Sequence, residues 1–211
     1  MYPILLDLRD RLGVVIGGGS VGKRKASGLL EGGARVRLVC LEPRPPEADP
    51  AIDWRTAPYQ GATLEGADLV FAAATPEVNR QVVADARSRK IWVNAADDPM
   101  NSDFLVPAVL RRGDFLVAVS TGGASPTLAQ NIRDQLAGQF DEAFGRWAAV
   151  LAELRPEIVA QVGDPAMRRT VFEMLARTAW LERLRSEKSE AVERAMRAEV
   201  RRLVEQGKNR V

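Results

Sequence analysis

Six residues near the start of the chain, Gly17-Gly18-Gly19-Ser20-Val21-Gly22, contain the spacing G-x-G-x-x-G. They follow the apolar run LGVVI and open the segment SVGKRKASGLLEGG, which has a helical pattern and a stop signal at Gly32-Gly33. A strand, a glycine turn and a helix in that order suit the diphosphate of a dinucleotide. Gly17 would make the tight turn, Gly19 would let a pyrophosphate reach the main chain, and Gly22 would let the helix pack close to the sheet. The helix N-terminus adds unpaired N–H groups and a partial positive charge. The competing reading is a glycine-rich turn without a ligand. The usual partner of such a turn is an acid at the end of the second strand, holding the ribose hydroxyls. Here that strand, VRLVC, ends at Cys40, and Glu42 lies two residues on. Glu42, or backbone near Leu41, could therefore hold the ribose. The nearest arginine is Arg44, so NAD is preferred to NADP.

Two other stretches have residue types suited to chemistry. VNAADDP, Val93 to Pro99, stands at the end of a predicted strand, where ligands of open α/β sheets sit. Asp97 and Asp98 could serve there as a base or a metal contact, or else as a helix cap and turn. In STGGASPTLAQ, Ser125 precedes Pro126 at a helix start and has the pattern of an N-cap. The same geometry can hold an anion such as a substrate carboxylate.

Composition narrows the chemistry. The 211 residues contain no histidine, so any base must be a carboxylate, lysine, tyrosine, cysteine or water. The single cysteine rules out an internal disulfide, and a reducing cytoplasm is the plain expectation. A net charge of +2, with the tail's arginines interleaved with glutamates, argues against nucleic acid. No apolar stretch is long enough to span a membrane. The early charges Asp7, Arg9, Asp10 and Arg11 argue against a secretory leader.

These side chains need elements to position them. Residues 1–112 alternate the β-like runs LGVVIGG, ARVRLVC, ADLVFAAA and IWVNAA with helical segments, the pattern of a Rossmann-like parallel sheet. A short strand is expected near IDWRTAPY. In PEVNRQVVADARSRK, Val78, Val82, Val83 and Ala86 share one helical face. FLVPAVLRRGDFLVAVST has the pattern of a hairpin turning at RRGD, with Pro107 favouring an edge. Arg111 and Arg112 in that turn could meet an anionic substrate, although solvent exposure is the plainer reading. Such an appended hairpin needs a second surface, and a symmetry-related copy supplies one. The expected organisation is an α/β domain over 1–112, a hairpin and helix dimerisation segment over 113–146, and an all-helical C-terminal domain over 147–211. In the last helix Val192, Met196, Val200 and Leu203 form a stripe fit for core packing.

The motifs PILLDLRDRLGVVIGGGSVGKRKASGLLEGGARVRLV, FAAATPEVNRQV and VNAADDPMNSDFLVPAVLRRGDFLVAVSTGGASPTLA, in this order, resemble the precorrin-2 dehydrogenase / sirohydrochlorin ferrochelatase family, the N-terminal module of sirohaem synthase. The resemblance covers residues 2 to about 150, and the helical tail more loosely. It implies NAD-dependent oxidation of precorrin-2 to sirohydrochlorin. In some members it also implies insertion of ferrous iron, and cobalt would meet the same ligands. It implies a homodimer with the post-Rossmann segment exchanged and helices over the cleft. By the same resemblance Ser20, Val21, Leu41 and Glu42 contact NAD, Asp97 is the functional aspartate, and Ser125 lies near the tetrapyrrole. Gly22 stands where many relatives carry alanine, an exchange expected not to matter for cofactor binding. No methyltransferase module is expected in these residues, so precorrin-2 would come from a separate enzyme. The alternative is an NAD-sensing Rossmann dimer that regulates a partner through its helical tail.

Overall fold

The computed structural model describes residues 1–208, which form two compact units that part between Val106 and Pro107. In the first unit the strands are β1 (Leu12–Ile16), β2 (Arg35–Cys40), β3 (Ile52–Thr56), β4 (Leu69–Ala72) and β5 (Trp92–Ala95). All are parallel, in the order β3-β2-β1-β4-β5. The chain winds outward from β1 through β2 to β3, then returns to the other side of β1 for β4 and β5. The order therefore reverses between β1 and β4, and the crevice at their carboxyl ends is where such sheets bind ligands.

Helix α1 (Ser20–Glu31) covers one face and α2 (Pro76–Ser88) the other. β1 is buried along its whole length, as expected for a strand covered on both sides. The predicted stripe of α2 is observed: Val82, Val83 and Ala86 are buried beside half-buried Val78. The short strand expected near IDWRTAPY is β3, at the sheet edge.

The second unit starts with the predicted hairpin. Strands β6 (Ala108–Arg112) and β7 (Phe115–Val119) pair antiparallel around Gly113, whose φ is +55°, and Pro107 falls just before β6. Helices α3 (Pro126–Ala137), α4 (Glu142–Gln161), α5 (Pro165–Leu175), α6 (Thr178–Ser186) and α7 (Ser189–Lys208) follow. The pattern over TVFEMLARTAWLERLRSE suggests one helix, but the structure has two. α5 stops at Ala176, and two indoles close its end: Trp147 Nε1 donates to the Leu175 carbonyl and Trp180 Nε1 to that of Met174, both at 3.1 Å. Those donors satisfy carbonyls that a helix end leaves open, so neither Gly nor Pro is needed there. Val192, Met196 and Val200 are buried in the helical core, with Leu203 packed against it.

Candidate functional site

The glycine turn leaves β1 at its carboxyl end, and three of its glycines are there because a Cβ would not fit. Gly17 has φ +115°, and a Cβ on it would fall on the Ala73 carbonyl oxygen at the end of β4. A Cβ on Gly22 would fall on the carbonyl oxygen of Gly17. Alanine is therefore not equivalent to glycine at position 22: the obstacle is backbone, and the turn itself would have to move. The resemblance alone gave no sign of this. Gly18, which the motif treats as a free position, is also packed. Its Cβ would stand 2.7 Å from Cys40 Sγ and 3.1 Å from Glu42 Oε2.

Gly19 differs from the other three. A Cβ there would meet nothing within 4 Å, so it faces open space. Gly19 is also the N-cap of α1, and no side chain caps that helix. The amides of Ser20, Val21 and Gly22 in the first turn therefore have no intrahelical acceptor. Together with the helix dipole they form a cradle for an anion of pyrophosphate size. Bare main chain, unclaimed donors and an open flank fit a dinucleotide diphosphate.

The acid beside this cradle is Glu42. Its carboxylate lies against Gly18, while its main-chain carbonyl accepts hydrogen bonds from Trp54 Nε1 at 3.2 Å and Thr56 Oγ1 at 3.3 Å. β3 thus fixes the backbone at position 42 and leaves the carboxylate exposed. Leu41 is 72% exposed at the same edge. Cys40 is buried, its Sγ donating to the Glu42 carbonyl at 3.3 Å, and burial raises its thiol pKa above the usual range, which makes it a packing residue rather than a nucleophile. Arg44 is engaged within its own loop, donating to the Ala48 and Asp49 carbonyls.

The two adjacent aspartates have separate roles. Asp98 caps the 3-10 turn Pro99–Asn101, accepting from Asn101 N at 3.2 Å and Asn101 Nδ2 at 2.6 Å, and those bonds lower its carboxyl pKa. The capping reading therefore holds for Asp98 alone. Asp97 is exposed just past β5, and its Oδ1 accepts from Asn79 Nδ2 at 2.8 Å. Asn94, one face over, donates to the Phe104 carbonyl and anchors the chain after β5. Asn79 was missed in the sequence, although a signal existed. It precedes Val82, Val83 and Ala86 by three, four and seven residues, which places it on the buried face of α2.

Ser125 belongs to the second unit. It caps α3, its Oγ accepting from Leu128 N at 3.2 Å, while its own backbone N and O both bond Thr121 Oγ1 at 3.0 Å. Arg112, a possible substrate contact from sequence, is committed within the unit to the Phe140 carbonyl and to Glu142. Arg111 is exposed. No group of three or more His, Cys, Asp or Glu side chains gathers to hold a metal among the described residues, and no described helix is long and apolar enough to cross a membrane.

Comparison with known proteins agrees with this layout. Family models match in order along the chain: "Putative NAD(P)-binding" over residues 4–108, "Sirohaem biosynthesis protein central" over 112–139 and "Sirohaem synthase dimerisation region" over 143–210. A siroheme synthase of Methylobacillus flagellatus is 37% identical over 199 residues, covering 92% of this chain and 43% of its own. One from Chromobacterium violaceum is 38% identical over 177 residues, covering 82% and 38%. The chain thus spans about two fifths of the length of these relatives. The solved structure of SirC, a precorrin-2 dehydrogenase, shares the fold with a TM-score of 0.71 at 23% identity, covering 96% of this chain and all of the other.

Proposed function

The chain belongs to the sirohaem-synthase family, and on that premise we propose that it oxidises precorrin-2 to sirohydrochlorin with NAD. In this reaction the macrocycle loses two hydrogens, one as hydride and one as a proton. NAD+, when bound, accepts the hydride. The protein binds, orients and takes the proton. The first-turn amides of Ser20, Val21 and Gly22 hold the diphosphate, and Glu42 accepts from the ribose hydroxyls. Leu41 supplies an apolar surface beside them. Asp97 is the base: Asn79 occupies its Oδ1, which leaves Oδ2 to receive the proton. Most of the driving force comes from conjugation gained in the macrocycle, so orientation is the protein's main contribution.

The same edge supports NAD over NADP in this reading. A 2′-phosphate would meet the Glu42 carboxylate, and the nearest arginine, Arg44, already serves two loop carbonyls. The observation that carries the whole reading is the open flank at Gly19 beside the uncapped start of α1. Iron insertion belongs to the reading as a second step. A lone carboxylate such as Asp97 suits a passing cation better than a stored one.

The functional division that goes with it assigns residues 1–112 to the dinucleotide, 113–146 to dimerisation and 147–211 to the helical part, with Ser125 near the substrate. Among the described residues no further strand pairs with either outer edge of the β6–β7 ribbon, which supports a homodimer. Sedimentation at micromolar concentration checks this: a dimer mass is expected, and a monomer would remove it. The activity is tested by anaerobic turnover of precorrin-2 with NAD+, followed in the visible spectrum. We expect conversion to sirohydrochlorin that is lost in Asp97→Ala. Conversion without NAD+, or full activity in Asp97→Ala, would overturn the assignment. Adding Fe2+ or Co2+ to sirohydrochlorin under the same conditions tests the second step.

A further inference from the structure

Asn79 is one of only two buried polar or charged residues among those described, at 3% exposure, and every polar atom of its side chain is in use. Oδ1 accepts from Ala74 N at 2.9 Å, while Nδ2 donates to the Ala74 carbonyl at 3.4 Å and to Asp97 Oδ1 at 2.8 Å. It therefore reads the main chain of the β4–α2 loop with one pair of bonds and holds a carboxylate beyond β5 with the other. The loop it reads is also the one that limits the glycine turn. Ala73 N donates to the Ile16 carbonyl at 2.8 Å, and Ala73 O fills the space where a Cβ of Gly17 would stand.

We infer that Asn79 is the positioning residue that fixes the Asp97 carboxylate for proton transfer and ties its place to the backbone floor of the dinucleotide cradle. The inference rests on the reading of Asp97 as the base and adds the residue through which the base is set. A polar side chain of this size inside α2 costs free energy unless all its bonds are made. An apolar residue would satisfy the helix stripe at less cost. The bond to Asp97 also fixes which carboxylate oxygen remains available to substrate.

Asn79→Asp separates this role from plain packing. Aspartate matches asparagine in size, and its carboxylate still accepts from Ala74 N. Ionised, it cannot donate to Asp97 and sets a second negative charge at hydrogen-bond distance; protonated, it donates as the amide does. Like charges that close disfavour ionisation of both carboxyls, so the pair holds its first proton to a higher pH and titrates as a unit. Asn79→Ser removes the reach to Asp97 without adding charge and serves as the second variant.

The first measurement needs no turnover: titration of the Asp97 carboxyl carbon by NMR in protein labelled at aspartate, assigned with Asp97→Asn. The expected result is a first proton held by the pair about tenfold or more tightly in Asn79→Asp than by Asp97 in wild type, a clear change from wild type in Asn79→Ser, and cooperative thermal unfolding at a lowered midpoint in both. An unchanged Asp97 titration in folded Asn79→Ser, or an Asp97 that titrates independently of residue 79 in folded Asn79→Asp, overturns the inference, whatever the enzyme's activity. The second measurement is the pH profile of kcat. The acid limb is expected to move to higher pH by the same amount in Asn79→Asp, with KM for NAD+ altered less than kcat. A moved titration with an unmoved acid limb would remove Asp97 as the base, which is failure of the reading beneath, not of the contact.

Discussion

Two glycine turns in this chain lead into helices, and they solve opposite problems. At the end of β1, Gly17, Gly18 and Gly22 are compressed against neighbouring atoms while Gly19 faces open space, and α1 begins with no side-chain cap. At the end of β7, Gly122 has φ +64° but nothing within 4 Å of its Cβ position, and α3 begins with Ser125 capping Leu128 N. In the first turn the glycines let backbone meet backbone and leave amides unclaimed. In the second they only permit a left-handed bend, and the amides are partly satisfied from within. A helix start becomes a receptor when the chain withholds its own cap. By that criterion the β1 turn is incomplete without an anion and the β7 turn is nearly complete without one.

Substitutions can break this contrast. Gly17→Ala should have the largest effect, since it combines a positive φ with a clash against the Ala73 carbonyl. Roughly 3 kcal/mol of stability should be lost, with dinucleotide binding abolished. Gly22→Ala should follow, because the Cβ meets the Gly17 carbonyl. Calorimetry should show NAD+ affinity reduced at least tenfold, and wild-type affinity there would mean that the turn relaxes freely. Ser125→Ala should cost about 1 kcal/mol of stability through the lost cap and leave NAD+ affinity unchanged. A fall in NAD+ affinity would contradict the assignment of the two turns to different tasks.

The smallest effect concerns the support of β1. Asp68 accepts from Leu12 N and pairs with Arg11, both at 2.8 Å, and the backbone bond is the main cause of its lowered carboxyl pKa. A lowered folded pKa contributes stability above the unfolded value of about 4, and that contribution is lost as pH falls through the folded value. Asp68→Asn should therefore narrow the difference in unfolding midpoint between pH 7 and pH 3. An unchanged difference would mean that this carboxylate plays no part in the acid sensitivity.

The same contrast shows what the sequence could disclose. The alternation of runs such as LGVVI and LVFA with α2's valine stripe was enough for the sheet, because burial on two faces needs uninterrupted apolar strands. The strand–turn–helix order located the cradle for the same reason. Space was not legible: G-G-G gives no sign that Gly18 is packed against Cys40 while Gly19 is open. The pair Asp97-Asp98 looks symmetric as text, and only the chain's bend after β5 sends one carboxylate to a cap and the other to Asn79. The break between α5 and α6 was hidden because its terminating donors are indole N–H groups, one from Trp147 in α4 and one from Trp180 just past the break, and neither gives the Gly or Pro signal of a helix end.

Gly19→Ala tests the central claim most directly. A methyl group there meets no protein atom within 4 Å, so unfolding should change by no more than about 0.5 kcal/mol. The same methyl group lies where the diphosphate must approach, so calorimetric titration should show NAD+ affinity falling at least tenfold. Equal affinity in wild type and Gly19→Ala, or no binding heat in either, would contradict the account.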